Sequence, residues 1–336
     1  MTHHQQAHDV GETEGRRLRG GLAAGAVGAV WLTGQQPPRT QRLGRYLPES
    51  TAHPAKMLPA VAAHAITTYT APGELVFDPM CGIGTTLVEA VRAGRAALGV
   101  EYEPRWAAVA TGNLDLAAEH GHTTPGRVVR GDARQLARLL PEQLHGQVAL
   151  IVTSPPYGPS THGHLAGTRG GPIHKINHRY GNTLDRGNLA NIGHHRLLGG
   201  FTRILTAAVP FLRPGGRVVI TVRPWREHAE LIDLPAQIAA CGQRTGLTLV
   251  DRCVALLGRV TADGDFVARG SFFQRDFIAK QRRAGLPLHL IAHEDVLILQ
   301  RPHAPRETAG ASPLPPVVIA QGALARDTDE RQSAAA

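Results

Sequence analysis

Short apolar runs alternate with longer amphipathic stretches along most of the chain. Runs rich in β-branched and aliphatic residues predict strands at 74–78, 97–101, 127–131, 148–153, 217–222, 247–257 and 295–300. Apolar residues at helical spacing predict helices near 54–67, 85–93, 103–118, 133–140, 196–212 and 227–242. This alternation is typical of a mainly parallel sheet with helices on both faces. No helical pattern separates the last two strands, so we predict an α/β, seven-stranded Rossmann-like sheet whose last strand pair is antiparallel.

Segments outside this alternation define the expected domains. Residues 1–50 are predicted to be a basic, partly disordered N-terminal arm, and residues 51–302 to form the folded domain. Two long excursions, 158–195 and 258–290, interrupt that domain, and loops of this length are usually functional or disordered. Residues 303–336 are rich in Ala, Pro and charge, which predicts a flexible C-terminal tail.

Charge and cysteine content narrow the class of protein. Lys and Arg outnumber Asp and Glu by 36 to 27, and the excess consists of Arg, which favours phosphate-bearing partners such as DNA, with RNA as the alternative. A coding bias toward Arg would produce the same charge. Three scattered cysteines fit the reducing cytoplasm. The apolar run at 21–32 is too short to cross a bilayer, so no membrane association is expected.

A glycine turn between the first strand and its helix indicates a nucleotide site. Asp78 ends the strand, and Gly82 and Gly84 allow the backbone to approach a ligand closely. Thr86 and Glu89 have the spacing of a capping box, which predicts a helix start just after Gly84. Glu101 ends the next strand, where a carboxylate would accept hydrogen bonds from ribose hydroxyls.

The missing third glycine of the turn and its carboxylate indicate which nucleotide it binds. A dinucleotide fingerprint needs a third glycine where this chain has Leu87. A carboxylate at Asp78 would repel a pyrophosphate but attract a cation. S-adenosylmethionine carries a sulfonium and an ammonium group and no phosphate, so we expect it here. Asp132, after the third strand, could bind the adenine amino group.

A stiff polar corner, "TSPPY", follows the fourth strand at the edge of the sheet where ligands bind in α/β folds. Pro155 and Pro156 fix their own φ angles and hold the carbonyls of Ser154 and Pro155 rigidly outward. These acceptors suit the N–H groups of an exocyclic amine, and Tyr157 can stack on a planar ring. Together they predict a socket for a flipped nucleic-acid base.

These residues resemble a known family: S-adenosylmethionine-dependent amino-methyltransferases that act on cytosine N4 or adenine N6 in DNA. "FDPMCGIGTT" looks like its cofactor loop, "TSPPY" its catalytic tetrapeptide and "GVEYEP" its ribose-binding strand end, while "HPAKMLP", "LRPGGRVVITV" and "HEDVLIL" resemble flanking segments. The resemblance implies a class I methyltransferase fold with Ser154, Pro155, Pro156 and Tyr157 as catalytic residues. The implied cofactor-binding residues are His53, Pro54, Lys56, Asp78, Pro79, Cys81, Gly82, Gly84, Thr85, Thr86, Glu101, Tyr102 and Asp132.

The implied reaction is direct methyl transfer to the amine. Ser in the first tetrapeptide position, as at Ser154, favours cytosine N4, whereas Asp there is usual for adenine N6. Guanine-N2 methylation of tRNA is a further alternative, although about 50 residues ahead of "HPAK" leave little room for the RNA-binding domain that those enzymes usually carry. A catalytically silent nucleic-acid-binding protein and an NAD-linked oxidoreductase are the rivals from other classes.

No separate target-recognition domain is evident, so recognition is expected from the two excursions and the arm. Arg39, Arg42 and Arg45 could contact phosphates, or the arm could simply be solvated. The histidines of the first excursion have irregular spacing and no cysteine among them, so no metal is expected. They are His162, His164, His174, His178, His194 and His195. The sequence does not identify a restriction nuclease as a partner.

Overall fold

The structure is a computed structural model. It describes residues 28–156, 164–166, 174–176, 188–189, 194–227, 229–270 and 272–303. Tyr157, most of the first excursion and the first part of the predicted arm lie outside the described residues. The fold ends at Pro302, and a second unit, His303–Ala336, has only its first residue among those described.

All seven predicted strands are present, together with short additional ones. The strands are β1 (Val30–Trp31), β2 (Leu75–Asp78), β3 (Ala96–Glu101), β4 (Gly126–Arg130), β5 (Val148–Thr153), β6 (His164–Ala166), β7 (His174–Ile176), β8 (Leu212–Val222), β9 (Trp225–Glu227), β10 (Glu230–Ile232), β11 (Thr248–Leu256), β12 (Gly258–Val260), β13 (Phe266–Ala268) and β14 (His293–Gln300). The pairs β6–β7, β9–β10 and β12–β13 are separate antiparallel ribbons.

The main sheet has eight strands in the order β1-β11-β14-β8-β5-β2-β3-β4. Strand β14 is antiparallel to both β8 and β11, which confirms the predicted antiparallel pair. The other pairings are parallel, so β2, β3, β5 and β8 end at one edge. The predicted count of seven was one too low, because β1 adds a short strand beside β11. The antiparallel last pair is the one expected of the class I methyltransferase fold that the motifs imply.

The helices are α1 (Pro38–Arg42), α2 (Pro59–Tyr69), α3 (Thr85–Arg92), α4 (Pro104–Glu119), α5 (Leu136–Leu139), α6 (His194–Ala208), α7 (Leu234–Gln243) and α8 (Phe272–Arg283). Short 3-10 turns lie at Pro48–Ala52, Ala133–Gln135, Glu142–Leu144 and Val209–Phe211. Proline at the first position starts α2 and α4, where its missing N–H costs no helical hydrogen bond. None of the helices in the described ranges combines the length and apolarity needed to span a bilayer.

Helices cover both faces of the sheet because side chains alternate along each strand. Phe77 of β2 and Ile151 of β5 pack with α6 and α7 on one face. Val76 and Leu150, their chain neighbours, pack on the other face with α2, α3 and α4. The central strand β5 is buried at every position, which explains its unbroken apolar sequence.

The described part of the predicted arm is folded. Trp31 of β1 is 1% exposed, and its ring lies 4.3 Å from that of His64 in α2. Gln41 of α1 is buried and donates to the Thr33 carbonyl at 2.9 Å. Residues from Val30 onward therefore add to one edge of the sheet and continue toward the cofactor loop.

This arrangement predicts a large stability effect at the sheet edge. Trp31→Ala should lower the free energy of unfolding by about 3–5 kcal/mol, because it empties a buried aromatic site. Leu32→Ala, at a neighbour that is 47% exposed, is the matched control and should change it little. Urea unfolding measures both, and equal effects would contradict the packing of Trp31.

Candidate functional site

The predicted cofactor loop joins β2 to α3 through a left-handed turn. Gly82 and Gly84 have φ angles of 53° and 78°, in the region that favours glycine. A Cβ at Gly84 would lie 3.1 Å from the Cβ of Ala110 in α4, so a side chain there would also crowd the neighbouring helix. Gly84 is the N-cap of α3, as the sequence predicted.

The capping-box interpretation of Thr86 and Glu89 was wrong. The N-cap makes no side-chain hydrogen bond. The Thr86 hydroxyl instead donates to the Asp78 carboxylate at 2.7 Å, and Glu89 accepts from the Tyr46 hydroxyl and pairs with Arg45. Both side chains therefore bond to residues outside the helix and do not cap it. These bonds join the loop to β2 and to the N-terminal segment.

Asp78 is a buried carboxylate at the end of β2, only 4% exposed. Its Oδ1 accepts the Met80 N–H at 3.0 Å, and its Oδ2 accepts the Thr86 hydroxyl. Burial raises the pKa of Asp78 to about 6, against the lowering effect of these hydrogen bonds. A cation placed nearby would compensate for this burial.

Glu101 at the end of β3 is equally buried, at 3% exposure. Its two oxygens accept the backbone N–H groups of Gly82 and Glu103, each at 2.8 Å. Burial raises its pKa to about 7. Glu101 therefore ties the cofactor loop to the next strand, and its oxygens keep lone pairs that could accept hydroxyl donors.

Ser154, Pro155 and Pro156 continue directly from β5 and line one cleft with Asp78 and the cofactor loop. The cleft encloses about 700 Å³, its open mouth included. Its lining includes His53, Lys56, Cys81, Gly82, Thr85, Thr86, Thr221 and Glu294. The structure thus brings the predicted loop, tetrapeptide and "HPAK" segment together. Tyr157, the last member of the tetrapeptide, lies outside the described residues.

A second cleft adjoins the first, since Met80 and Pro156 line both. Its lining includes Pro79, Glu101, Tyr102 and Asp132, all predicted for the cofactor site. The Asp132 carboxylate is already held by the Arg134 guanidinium, at 2.7–3.0 Å, and this pairing keeps the pKa of Asp132 below its usual value. Its predicted contact with adenine would have to be made beside this ion pair.

The segment before α2 forms one wall of the first cleft. His53 is buried with its ring 4.7 Å from that of Trp106, and Pro54 beside it is half-buried. Lys56 donates to the carbonyls of Thr51 and His53, and burial lowers its pKa to about 8. The Lys56 ammonium is therefore the cation of this wall.

This set of side chains fits S-adenosylmethionine. Asp78 and Lys56 place opposite charges in one cleft, which suits the ammonium and carboxylate of a methionine group. Glu101 lines the adjoining cleft, where an acceptor suits ribose hydroxyls. The first cleft thus has polar groups for the amino-acid part of the cofactor, and the adjoining cleft has polar groups for its nucleoside part.

The three arginines predicted to contact phosphate differ in their surroundings. Arg39 is exposed, whereas Arg42 donates to the Met57 carbonyl and Arg45 pairs with Glu89. Burial lowers the pKa of Arg42. The guanidinium groups of Arg42 and Arg45 are thus engaged within the chain, and phosphate contact stays a prediction that rests mainly on Arg39.

Sequence reasoning missed several residues of the site. Met80, Thr221 and Glu294 line the first cleft but belong to no motif that pointed to them individually. Asn113 of α4, 0% exposed, donates to the Ile83 carbonyl at 2.8 Å and accepts the Leu47 N–H at 2.7 Å. A single polar side chain on the apolar face of α4 was the available signal. Within the described ranges, no three metal-ligating side chains converge.

The raised pKa values predict how stability depends on pH. Asp78 and Glu101 bind protons more tightly folded than unfolded, where their ordinary values are 3.8 and 4.5. The free energy of unfolding of the ligand-free chain should therefore fall as pH rises from about 4 to 7, by up to about 1.4 kcal/mol per pH unit for each carboxylate. Urea unfolding across this range should show a flatter profile for Asp78→Asn and Glu101→Gln. The exposed Glu230→Gln control should keep the wild-type profile, and an unchanged profile in all three would contradict the assignment.

Comparison with known proteins finds a family model and several relatives that match part of the chain. Residues 9–111 match the N6/N4 methyltransferase family model, described as DNA methylase; the matched region includes the cofactor loop and ends before Ser154. The chain is 35% identical over 111 residues to the tRNA (guanine(10)-N2)-dimethyltransferase of Methanocaldococcus jannaschii, covering 32% of this chain and 31% of that protein. It is 33% identical over 90 residues to the Type II methyltransferase M.ScaI of Streptomyces caespitosus, covering 27% and 29%.

These aligned segments span less than a third of either curated relative. Among solved structures, TrmN from Thermus thermophilus aligns with a TM-score of 0.43 at 18% identity, covering 78% of this chain and 53% of that chain.

Proposed function

We propose that this chain, a member of the S-adenosylmethionine-dependent N6/N4 methyltransferase family, methylates the exocyclic amine of a flipped base, with cytosine N4 in DNA as the first candidate. The observation that carries the proposal is the shared cleft. Ser154, Pro155 and Pro156 line it together with Asp78 and the glycine turn. The prolines would hold a row of acceptors beside the position that we propose for the cationic methyl donor.

The residues of this cleft suit an amine as the group that reacts. When bound, the cofactor supplies an electrophilic methyl group on its sulfonium. The Ser154 hydroxyl and the Pro155 carbonyl would accept N–H groups of an exocyclic amine, which favours a pyramidal and more nucleophilic nitrogen. Most of the rate gain then comes from holding this nitrogen in line with the methyl group.

The cleft is poorly suited to a covalent enzyme intermediate. Cys81 lies in the cofactor loop, and burial together with Glu101 and Asp78 raises the pKa of its thiol well above the usual value. A protonated, buried thiol is a weak nucleophile. Direct attack by the amine of the base is the reaction that these residues support.

Guanine N2 in tRNA is the second candidate. Two of the aligned relatives are tRNA (guanine(10)-N2)-dimethyltransferases, from Methanocaldococcus jannaschii and Methanothermobacter thermautotrophicus. Ser154 in the first tetrapeptide position favours the cytosine reading. An amine conjugated to a ring is the acceptor in both cases, so the chemistry of the cleft is the same.

Transfer of a labelled methyl group to duplex genomic DNA and to unfractionated tRNA separates the candidates. The modified nucleoside is then identified by mass spectrometry after digestion. N4-methylcytosine in DNA supports the first candidate, and N2-methylguanosine in tRNA supports the second. N6-methyladenine in DNA would keep DNA as the substrate but make adenine the target base. Binding to either nucleic acid without any transfer would overturn the enzymatic proposal in favour of a silent binding protein.

A further inference from the structure

Glu294 lines the first cleft together with Ser154, although it is far from the tetrapeptide in sequence. Strand β14 is antiparallel to β8, so its first residues lie at the edge where β5 and β8 end. Asp295 is paired with Val222, which places Glu294 beside Arg223, just beyond the end of β8. Glu294 lines the same cleft as Ser154, two strands away, or roughly 10 Å at the usual strand spacing.

The Glu294 carboxylate has one oxygen engaged and one without a partner. Its Oε1 accepts the Arg223 guanidinium at 3.3 Å. Its Oε2 is buried and has no hydrogen-bond partner among the described residues. The hydroxyl of Thr221, which lines the cleft beside it, is likewise buried without a partner in the described ranges. Buried polar atoms of this kind cost free energy unless a ligand or water satisfies them.

Asp78, the other carboxylate that lines this cleft, is already occupied. Both oxygens of Asp78 accept hydrogen bonds from the cofactor loop. Lys56 donates to two carbonyls, and the Nδ1 atom of His53 accepts the Ala55 N–H. Asp295, the neighbour of Glu294 on β14, pairs with Arg252 at 2.8 Å. Glu294 is thus the carboxylate of this cleft with an oxygen left for substrate.

Amine methylation leaves a proton that must be removed. The nitrogen lone pair forms the new bond to the methyl carbon, and the electrons of the breaking carbon–sulfur bond go to sulfur. The nitrogen then carries a positive charge and one proton more than the neutral product. A serine hydroxyl and proline carbonyls accept hydrogen bonds but are too weakly basic to hold that proton.

We infer that Glu294 is a further catalytic residue: while the Pro155 carbonyl holds one N–H group of the amine, Oε2 of Glu294 takes the proton of the other as the carbon–nitrogen bond forms; the inference rests on the proposed amine methylation but not on which base is the target. The nitrogen–hydrogen bond breaks, its electron pair stays on nitrogen, and the carboxylate becomes a carboxylic acid. Arg223 positions the carboxylate through Oε1. Thr221 lies beside it as a hydroxyl that the base can use.

Single-turnover methyl transfer to genomic DNA and to tRNA tests this role with the full chain. Glu294→Gln, which keeps the shape but cannot take a proton, should slow transfer by about 10²–10⁴-fold. Calorimetry with S-adenosylhomocysteine should show unchanged affinity, because the residues proposed to hold the cofactor, Asp78, Lys56 and Glu101, are untouched. Glu294→Ala should regain part of its rate when formate is added, since formate can occupy the space of the missing carboxylate.

Arg223→Gln is the matched control, because it breaks the same ion pair and leaves the carboxylate. It should lose less activity than Glu294→Gln and should not respond to formate. Undiminished transfer by Glu294→Gln, or equal losses in both variants without formate rescue, would overturn the role of Glu294 and leave the proposed function standing. Absence of transfer by the wild-type chain to both nucleic acids would overturn the proposed function, and the inference with it.

Discussion

Glu101→Gln is expected to weaken S-adenosylmethionine binding by roughly 10- to 100-fold. The carboxylate of Glu101 accepts backbone N–H groups from Gly82 and Glu103 at once, so it shapes the cofactor loop. An amide in its place would turn an NH2 group toward one of these donors. Loss of one hydrogen bond to a charged group costs about 1.5–3 kcal/mol, and about 1.4 kcal/mol corresponds to tenfold in affinity.

Calorimetric titration with S-adenosylmethionine and with S-adenosylhomocysteine measures this loss. Both ligands carry the ribose, so both should lose affinity by similar factors. Glu119→Gln, at the exposed end of α4, removes one negative charge far from the loop and is the matched control. An equal loss in the control would show that net charge, and not the position of Glu101, controls binding.

The sequence predicted those elements whose pattern is long enough to be informative. The strand β5 was predicted with its observed bounds because six consecutive buried residues leave a continuous apolar run. Strand β1 was missed because two residues cannot show a period, and only its pairing with Val254 and Ala255 makes it a strand. Helix α8 was missed because polar residues dominate its sequence. The second excursion contains this helix and the β-ribbon formed by β12 and β13.

The candidate site was predictable where a motif is local in sequence. Asp78, Gly82 and Gly84 lie in one loop, and Ser154 to Pro156 follow one strand, so each group could be found without the fold. Glu294 could not, because "HEDVLIL" indicates only a strand. Its position in the cleft depends on the antiparallel direction of β14, which brings the start of that strand to the edge where its parallel neighbours end.

Local patterns also failed where tertiary contacts compete with them. Thr86 and Glu89 have capping-box spacing, but the Thr86 hydroxyl bonds to Asp78 and the Glu89 carboxylate to Tyr46. A hydrogen bond to a buried carboxylate stabilises the fold more than a hydrogen bond to the N-terminus of α3, where Gly84 is already the N-cap. Such competition is expected near functional sites, because buried carboxylates there need hydrogen-bond donors from other parts of the chain.

Pro155→Ala is expected to lower single-turnover methyl transfer by about 100-fold or more while leaving cofactor affinity within about twofold. The substitution frees the φ angle of residue 155 and releases Ser154 from its extended conformation, so both acceptors move. Displacement of a reacting group by about 1 Å can cost about 100-fold in rate. Asp78 and Glu101 are untouched, so the cofactor should bind as before.

Quenched-flow transfer of a labelled methyl group gives the rate, and calorimetry with S-adenosylhomocysteine gives the affinity. Pro141→Ala, at an exposed proline that precedes the turn Glu142–Leu144, is the matched control and should leave both unchanged. A joint collapse of rate and cofactor affinity in Pro155→Ala would mean that the prolines hold up the cleft wall. A loss of rate alone means that they hold two acceptors in the positions that an exocyclic amine requires.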